Sequence, residues 1–280
     1  MTTYGMLIDV DRCTGCYNCF LSCKDEYCGN DYPGYSASQP EFGQFWMNIK
    51  EVERGEYPKV KVDYTPIPCM QCKNAPCVQV AQNGAAYMRD DGIVIIDPEK
   101  AKGQKEIADA CPYRVIYWND ALQLPQKCTF CAHLLDKGWK QPRCIESCPT
   151  DAKVFGDLDD PNSEISKLKA SGNYEVLRPE FNASPKVLYA SLPKRFISGE
   201  VLLSDKKSEC AQGIKVTLQK NGARVSDTIT DVYGDFEFDG LEQGTGYSVK
   251  VEFDGYASIS LEVASRIDTH LGEIELVPKG

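Results

Sequence analysis

Hydrophobic and polar positions change rhythm along the chain. From Phe196 onward apolar residues recur at every second position between turn residues, the period of half-buried strands. That period predicts strands over 197–203, 214–220, 224–230, 235–239, 247–253, 258–263 and 271–276, with turns at Asn221-Gly222, Tyr233-Gly234 and Asp254-Gly255. Seven short antiparallel strands in about 85 residues fit an antiparallel β-sandwich or a small barrel. Residues 157–195 read as a short helix following Asp159-Asp160-Pro161-Asn162, then an extended tail. Before them the apolar pattern is broken into short runs such as Ile93-Val94-Ile95-Ile96, far too short to cross a bilayer.

Composition adds a division. A chain of 280 residues favours two domains over one. Its 31 Lys+Arg against 41 Asp+Glu leave a net charge of −10, which argues against a nucleic-acid binder because phosphate contacts need a basic face. Thirteen of the 14 cysteines fall between Cys13 and Cys148, and Cys210 stands apart. The chain thus reads as a Cys-rich N-terminal part and an acidic C-terminal part. Met1-Thr2-Thr3-Tyr4-Gly5-Met6 has no basic stretch ahead of an apolar one, so a cytoplasmic location is expected. Export bound to a signal-bearing partner stays open. Clustered thiols in such a chain point to metal rather than to disulfides.

The first group is Cys13-x2-Cys16-x2-Cys19-x3-Cys23, the spacing of bacterial ferredoxins, in which three thiolates hold one iron–sulfur cube and the fourth reaches the neighbouring cube. The competing reading is zinc, but zinc sites normally use two separated knuckles. The second group is Cys69-x2-Cys72-x4-Cys77, the third Cys111-Pro112 alone, and the last Cys128-x2-Cys131-x12-Cys144-x3-Cys148-Pro149. Exchanging fourth ligands between the outer groups gives one site of Cys13, Cys16, Cys19 and Cys148, and another of Cys128, Cys131, Cys144 and Cys23. The inner groups give Cys69, Cys72, Cys77 and Cys111. A fourth site would need cysteines at Ala81, Ala101, Gln104 and Ile107. All four missing ligands belong to that one site, so the expectation is three [4Fe–4S] clusters and a fourth position filled by side chains. Cys28 and Cys210 are left over and read as inert buried thiols.

Several stretches resemble the iron–sulfur subunits that accompany molybdopterin enzymes of the dimethyl-sulfoxide-reductase family. They are Ile67-Pro68-Cys69-Met70-Gln71-Cys72-Lys73-Asn74-Ala75-Pro76-Cys77, Ile96-Asp97-Pro98-Glu99-Lys100, Ala110-Cys111-Pro112-Tyr113 and Gly156-Asp157-Leu158-Asp159-Asp160-Pro161-Asn162-Ser163. The resemblance implies an α+β fold: a double ferredoxin-like [4Fe–4S] domain over 1–156 with an insertion at 24–66, then a tail over 157–195 along a large subunit. A seven-stranded β domain over 196–280 completes the chain. Its Asp231-x-x-Gly234-x-Phe236-x-Phe238 with Leu241 resembles prealbumin-like repeat domains, prealbumin/Ig-like sandwiches with no ligand constellation. Within the family, the missing fourth site, the added domain and stretches such as Trp46-Met47-Asn48-Ile49 and Arg54-Gly55-Glu56-Tyr57-Pro58 resemble one branch. Its large subunit, carrying molybdenum bound by two molybdopterin guanine dinucleotides, moves a hydroxyl between polyhydroxylated benzenes.

The implied role is an electron-transfer subunit in a heterodimer or higher assembly, with no catalytic residue of its own and neither nucleic-acid nor direct membrane binding. Two alternatives stand beside it: the same subunit serving a reductive catechol dehydroxylase or anaerobic aromatic hydroxylase, and a zinc-stapled scaffold without redox function. No Ser-His-Asp set, phosphate loop or paired-carboxylate cleft stands out. His133, two residues after Cys131, is placed to hydrogen-bond near a cluster and tune its potential, or else is a satisfied polar residue. His270 reads as structural. Tyr113, Tyr117 and Trp118 are expected around the inner cluster. The aromatic-rich insertion (Tyr32, Tyr35, Phe42, Phe45, Trp46) is read as a surface for the catalytic partner or as a self-packed loop.

Overall fold

The computed structural model describes residues 2–206 and 209–280. It divides into two compact units, Met1–Glu51 with Tyr64–Leu192 and Val52–Asp63 with Pro193–Gly280. Strands outnumber helices in both.

The first unit is built on the strand Tyr4–Asp9, which pairs antiparallel with Lys153–Asp157 and parallel with Val187–Ala190. Met6, Leu7 and Ile8 are all buried, so this strand reads as a continuous apolar run instead of an alternation. Residues 157–195 therefore do not leave the domain as an extended tail. Helix Glu164–Ser171, capped by the Ser163 hydroxyl accepting from the Ser166 N–H, buries Ile165 against Gly156, and Val187–Ala190 adds a strand to the sheet. Helix Asn18–Tyr27 buries Cys19, Cys23 and Tyr27, spaced four apart on one face. Two small hairpins, Ala86–Met88 with Val94–Ile96 and Tyr117–Asn119 with Leu124–Gln126, repeat the same device between the cysteine loops.

Residues 27–46 of the insertion pack partly on one another and partly on residues 117–136. Trp46 is fully buried beside Tyr27, and Tyr32 stacks on His133, while Phe42 and Tyr57 stay exposed. Strands Met47–Glu56 and Lys59–Pro68 form a long hairpin whose far end, 52–63, belongs to the second unit. There Arg54 pairs with Asp63 and with Asp268 at 2.9 Å, and Lys61 pairs with Glu237 and Asp239. Gly55 has φ +82°, and a Cβ on it would collide with the Lys59 carbonyl and sit 2.7 Å from the Phe196 ring. Glycine is required at that turn.

The second unit has two four-stranded sheets. In one, Ala223–Ile229, Lys215–Lys220, Gly246–Glu252 and Ile259–Ala264 are antiparallel throughout. In the other, Arg195–Leu203 is flanked by Asp235–Leu241 and Thr269–Leu276, with Glu209–Cys210 at its end. Alternate residues such as Ile197, Val216, Leu218, Val249 and Val251 fill a common apolar core. The expected fully antiparallel arrangement needs correction, because Thr269–Leu276 runs parallel to Arg195–Leu203. Asp268 explains the direction: its carboxylate accepts from the Phe196 N–H and from Arg195, so both strands start from the same end.

Candidate metal centres

Each cysteine loop is turned by a left-handed residue at the same place. The residue two positions after the first cysteine has positive φ in all three loops: Gly15 (+65°), Gln71 (+47°) and Phe130 (+53°). For Gln71 and Phe130 that conformation costs about 1–2 kcal/mol, so the surroundings must enforce it. The turn aims backbone N–H groups inward; the Phe130 N–H donates to Cys128 Sγ at 3.4 Å. Glycine is needed at position 15, where a Cβ would meet the Tyr64 ring at 2.5 Å. After Cys111-Pro112 and Cys148-Pro149 a second left-handed residue follows, Arg114 (+54°) and Asp151 (+49°). Backbone N–H groups of Val115, Tyr113 and Arg114 face the Cys111 thiol, and those of Thr150 and Ala152 face Cys148. Successive amides aimed this way form a concavity for anions.

The thiols gather from distant parts of the chain. Cys23 is fully enclosed; burial pushes its thiol well up, and the neighbouring Cys128, Cys131 and Cys144 push it further. Burial raises Cys128 to about 12 and Cys131 to about 11. Cys19 lies beside Cys13 and Cys148: burial raises its thiol, with Lys153 opposing. Burial would raise Cys148 as well, but the Thr150 N–H, Lys153 and the Ala152 N–H outweigh it and hold this thiol below its usual value. Cys16 is exposed on the same loop. Cys69, Cys72, Cys77 and Cys111 line one hollow, partly open to solvent. Burial, then Cys69, Cys111 and Cys77, raise Cys72 to about 12. Thiols this reluctant to ionise become ligands when a metal displaces the proton.

Cys69, Cys72, Cys77 and Cys111 line one shared hollow, as ligands of a multinuclear cluster would. A zinc site would need all its sulfurs about 2.3 Å from one point.

At the fourth position, packing replaces thiols. Ala101 and Ile107 are fully buried, and the Gln104 side chain accepts from the Gln82 N–H (2.9 Å) and donates to the Lys100 carbonyl (2.8 Å). Yet Gly103, two residues after Ala101, keeps the left-handed turn at φ +79°, and Gly84, three after Ala81, keeps the second at +66°.

The remaining candidates fall in several places. His133 is buried, with Nε2 2.9 Å from Glu26 Oε1 and its ring stacked on Tyr32; burial lowers its pKa against the pull of Glu26. His270 Nδ1 meets the Ser198 hydroxyl at 3.0 Å. Tyr113 lines the inner hollow, and Tyr117 lies near Cys111 with its hydroxyl donating to the Phe45 carbonyl. Trp118 instead faces Lys105. Neither leftover thiol is buried: Cys28 is half-buried and Cys210 exposed, because Cys210 lies on a two-residue strand at a sheet edge.

Sequence reasoning passed over three lysines. Lys127, Lys153 and Lys186 are 2%, 4% and 8% exposed, and among the described residues no carboxylate forms an ion pair with them. Lys153 stands by Cys19, Cys148 and Cys144. Lys127 donates to the Cys128 carbonyl at 3.0 Å and acts on the Cys77 thiol. Lys186 stands by Cys72 and Cys69. Nothing in their local sequence separates them from surface lysines.

Residues 60–158 match a family described as a 4Fe-4S dicluster domain. The chain is similar to the pyrogallol hydroxytransferase small subunit of Pelobacter acidigallici, 43% identical over 99% of this chain and 100% of that one. It is also similar to a tetrathionate reductase subunit of Salmonella typhimurium, 36% identical over 70% of this chain and 75% of that one. The arsenate respiratory reductase iron–sulfur subunit of a Shewanella species is 31% identical over 66% and 94%.

Proposed function

Because the chain belongs to the iron–sulfur subunits of the dimethyl-sulfoxide-reductase-type molybdopterin oxidoreductases, we propose that it is the electron-transfer subunit of a pyrogallol-hydroxytransferase-type complex holding three [4Fe–4S] clusters. The proposed ligands are Cys13, Cys16, Cys19 and Cys148 for an outer centre and Cys128, Cys131, Cys144 and Cys23 for a middle one. Cys69, Cys72, Cys77 and Cys111 hold the inner centre. The observation carrying this reading is Cys23, enclosed by three thiols more than a hundred residues away. Three buried lysines that form no ion pair with a carboxylate among the described residues support it, since a buried cation needs an anion and bound thiolates supply one.

Such clusters pass one electron at a time. The chain's own residues wrap them, aim N–H groups at the sulfurs and enclose the thiols of the middle set. The partner in this reading is a large subunit whose molybdenum, bound by two molybdopterin guanine dinucleotides, moves a hydroxyl between polyhydroxylated benzenes. That reaction is redox-neutral overall, so the clusters set or restore the oxidation state of the metal and are idle in net turnover.

The test uses the purified complex. Metal analysis is expected to give about twelve iron and about twelve acid-labile sulfide per chain. Pyrogallol with a tetrahydroxybenzene co-substrate should yield phloroglucinol continuously without an external donor or acceptor. Zinc without sulfide would remove electron transfer from the reading, and strict dependence on a donor would replace hydroxyl transfer with reductive dehydroxylation or hydroxylation.

A further inference from the structure

Buried ammonium groups normally sit against carboxylates, because an isolated charge in a protein interior is far less stable than in water. Among the described residues Lys127, Lys153 and Lys186 form no ion pair with a carboxylate and stand near cysteine thiols, Lys127 with two backbone carbonyls as its hydrogen-bond acceptors, and each has a distinct address. Lys153 lies on the strand paired with Tyr4–Asp9, opposite Ile8, and stands among Cys19 and Cys148 of the outer set and Cys144 of the middle set. Lys127 immediately precedes Cys128 of the middle set; its ammonium donates to the Val94 and Cys128 carbonyls. Val94 lines the hollow that contains Cys77 of the inner set. Lys186 stands by Cys72 and Cys69 of the inner set, with Lys127 and, more weakly, Asp91 also acting on it, on the segment whose backbone N–H donates to the Met70 carbonyl between them.

We infer that these lysines are positioning charges that set the relative reduction potentials of the three centres, two at the junctions between centres and one at the inner end. The inference rests on the three-centre reading above. No bond to any of these lysines forms or breaks. One electron arrives from a neighbouring centre and one is later passed on; the ammonium favours whichever state carries the additional negative charge. A fixed cation in a low-dielectric interior acts strongly on its nearest neighbour and weakly beyond it, so the effects should be local.

Potentiometric titration followed by electron paramagnetic resonance on the intact complex tests this with Lys127→Met, Lys153→Met and Lys186→Met. Lys186→Met should lower one midpoint. Lys127→Met should lower that midpoint and a second, and Lys153→Met that second and the third. Each displacement should be tenfold or more in the oxidised-to-reduced ratio at fixed ambient potential, about 59 mV for one electron. Lysine-to-arginine variants should keep the parent midpoints. Where a Met variant loses iron, the corresponding Lys→Gln variant is titrated. Unmoved midpoints, an equal displacement of all three, or loss of iron from both neutral variants overturns the inference. Iron content of the parent complex reports on the three-centre reading separately: about twelve iron with unmoved midpoints sinks the lysine assignment alone.

Discussion

Gln71 joins two cysteine loops through one side chain. Its φ of +47° turns the loop between Cys69 and Cys72. Its Nε2 donates to the Cys128 carbonyl at 3.0 Å, and its Oε1 accepts from the Val94 N–H at 2.8 Å. Both bonds are buried; without Gln71 the Cys128 carbonyl keeps Lys127 as a donor, but the Val94 N–H loses this acceptor, and a buried backbone group left without a partner costs about 1–3 kcal/mol. Gln71→Ala is therefore expected to lower stability by about 2 kcal/mol or more, read from anaerobic denaturation midpoints. An unchanged midpoint would mean that water reaches this bridge. The buried lysines belong to the same scale: single side chains whose value depends on what faces them.

At the scale of elements, the cysteine loops are one backbone device used four times. Three copies carry thiols; the fourth keeps its left-handed turns at Gly103 and Gly84 while Ala101 and Ile107 fill the space. The turn is set by local backbone geometry and the filling by side-chain volume, so the two can change independently. A chain carrying Ala81→Cys, Ala101→Cys, Gln104→Cys and Ile107→Cys together is expected to bind about sixteen iron instead of about twelve, read by iron and sulfide analysis after anaerobic reconstitution. Iron that stays at the parent level would show that the turns alone do not suffice. The long hairpin shows the opposite case, an element whose two ends lie in different units. Arg54 and Lys61 bring its far end into the second unit by pairing with Asp268, Glu237 and Asp239.

Across the whole molecule there are two separate apolar cores, and they depend on metal to different degrees. In the first, buried thiols and the three lysines stand among the apolar residues, so bound metal contributes directly to folding. The second is apolar residues from two sheets. Removing iron from the complex with a chelator is expected to open residues 64–192 to limited proteolysis while leaving a resistant fragment over 193–280. Cleavage of both units at equal rates would contradict this division. No helix among the described residues is long and apolar enough to cross a membrane.

By itself the sequence determined what short-range spacing can encode. Ligand loops must wrap within a few residues, so cysteine intervals propose both the thiol groups and the missing fourth one. Period-two alternation likewise marks seven of the eight strands described in the two C-terminal sheets, because a half-buried strand imposes that period on its own residues, and the two-residue strand Glu209–Cys210 is too short to show it. Tertiary structure alone decided what depends on segments far apart. The parallel direction of Thr269–Leu276 follows from Asp268 meeting Phe196. The allotment of 52–63 to the second unit follows from ion pairs to residues some two hundred positions away. The burial of Lys127, Lys153 and Lys186 follows from strands and loops that close around them. A lysine codon reads the same on a surface and beside a thiolate; only the surrounding fold sets the dielectric in which its charge acts.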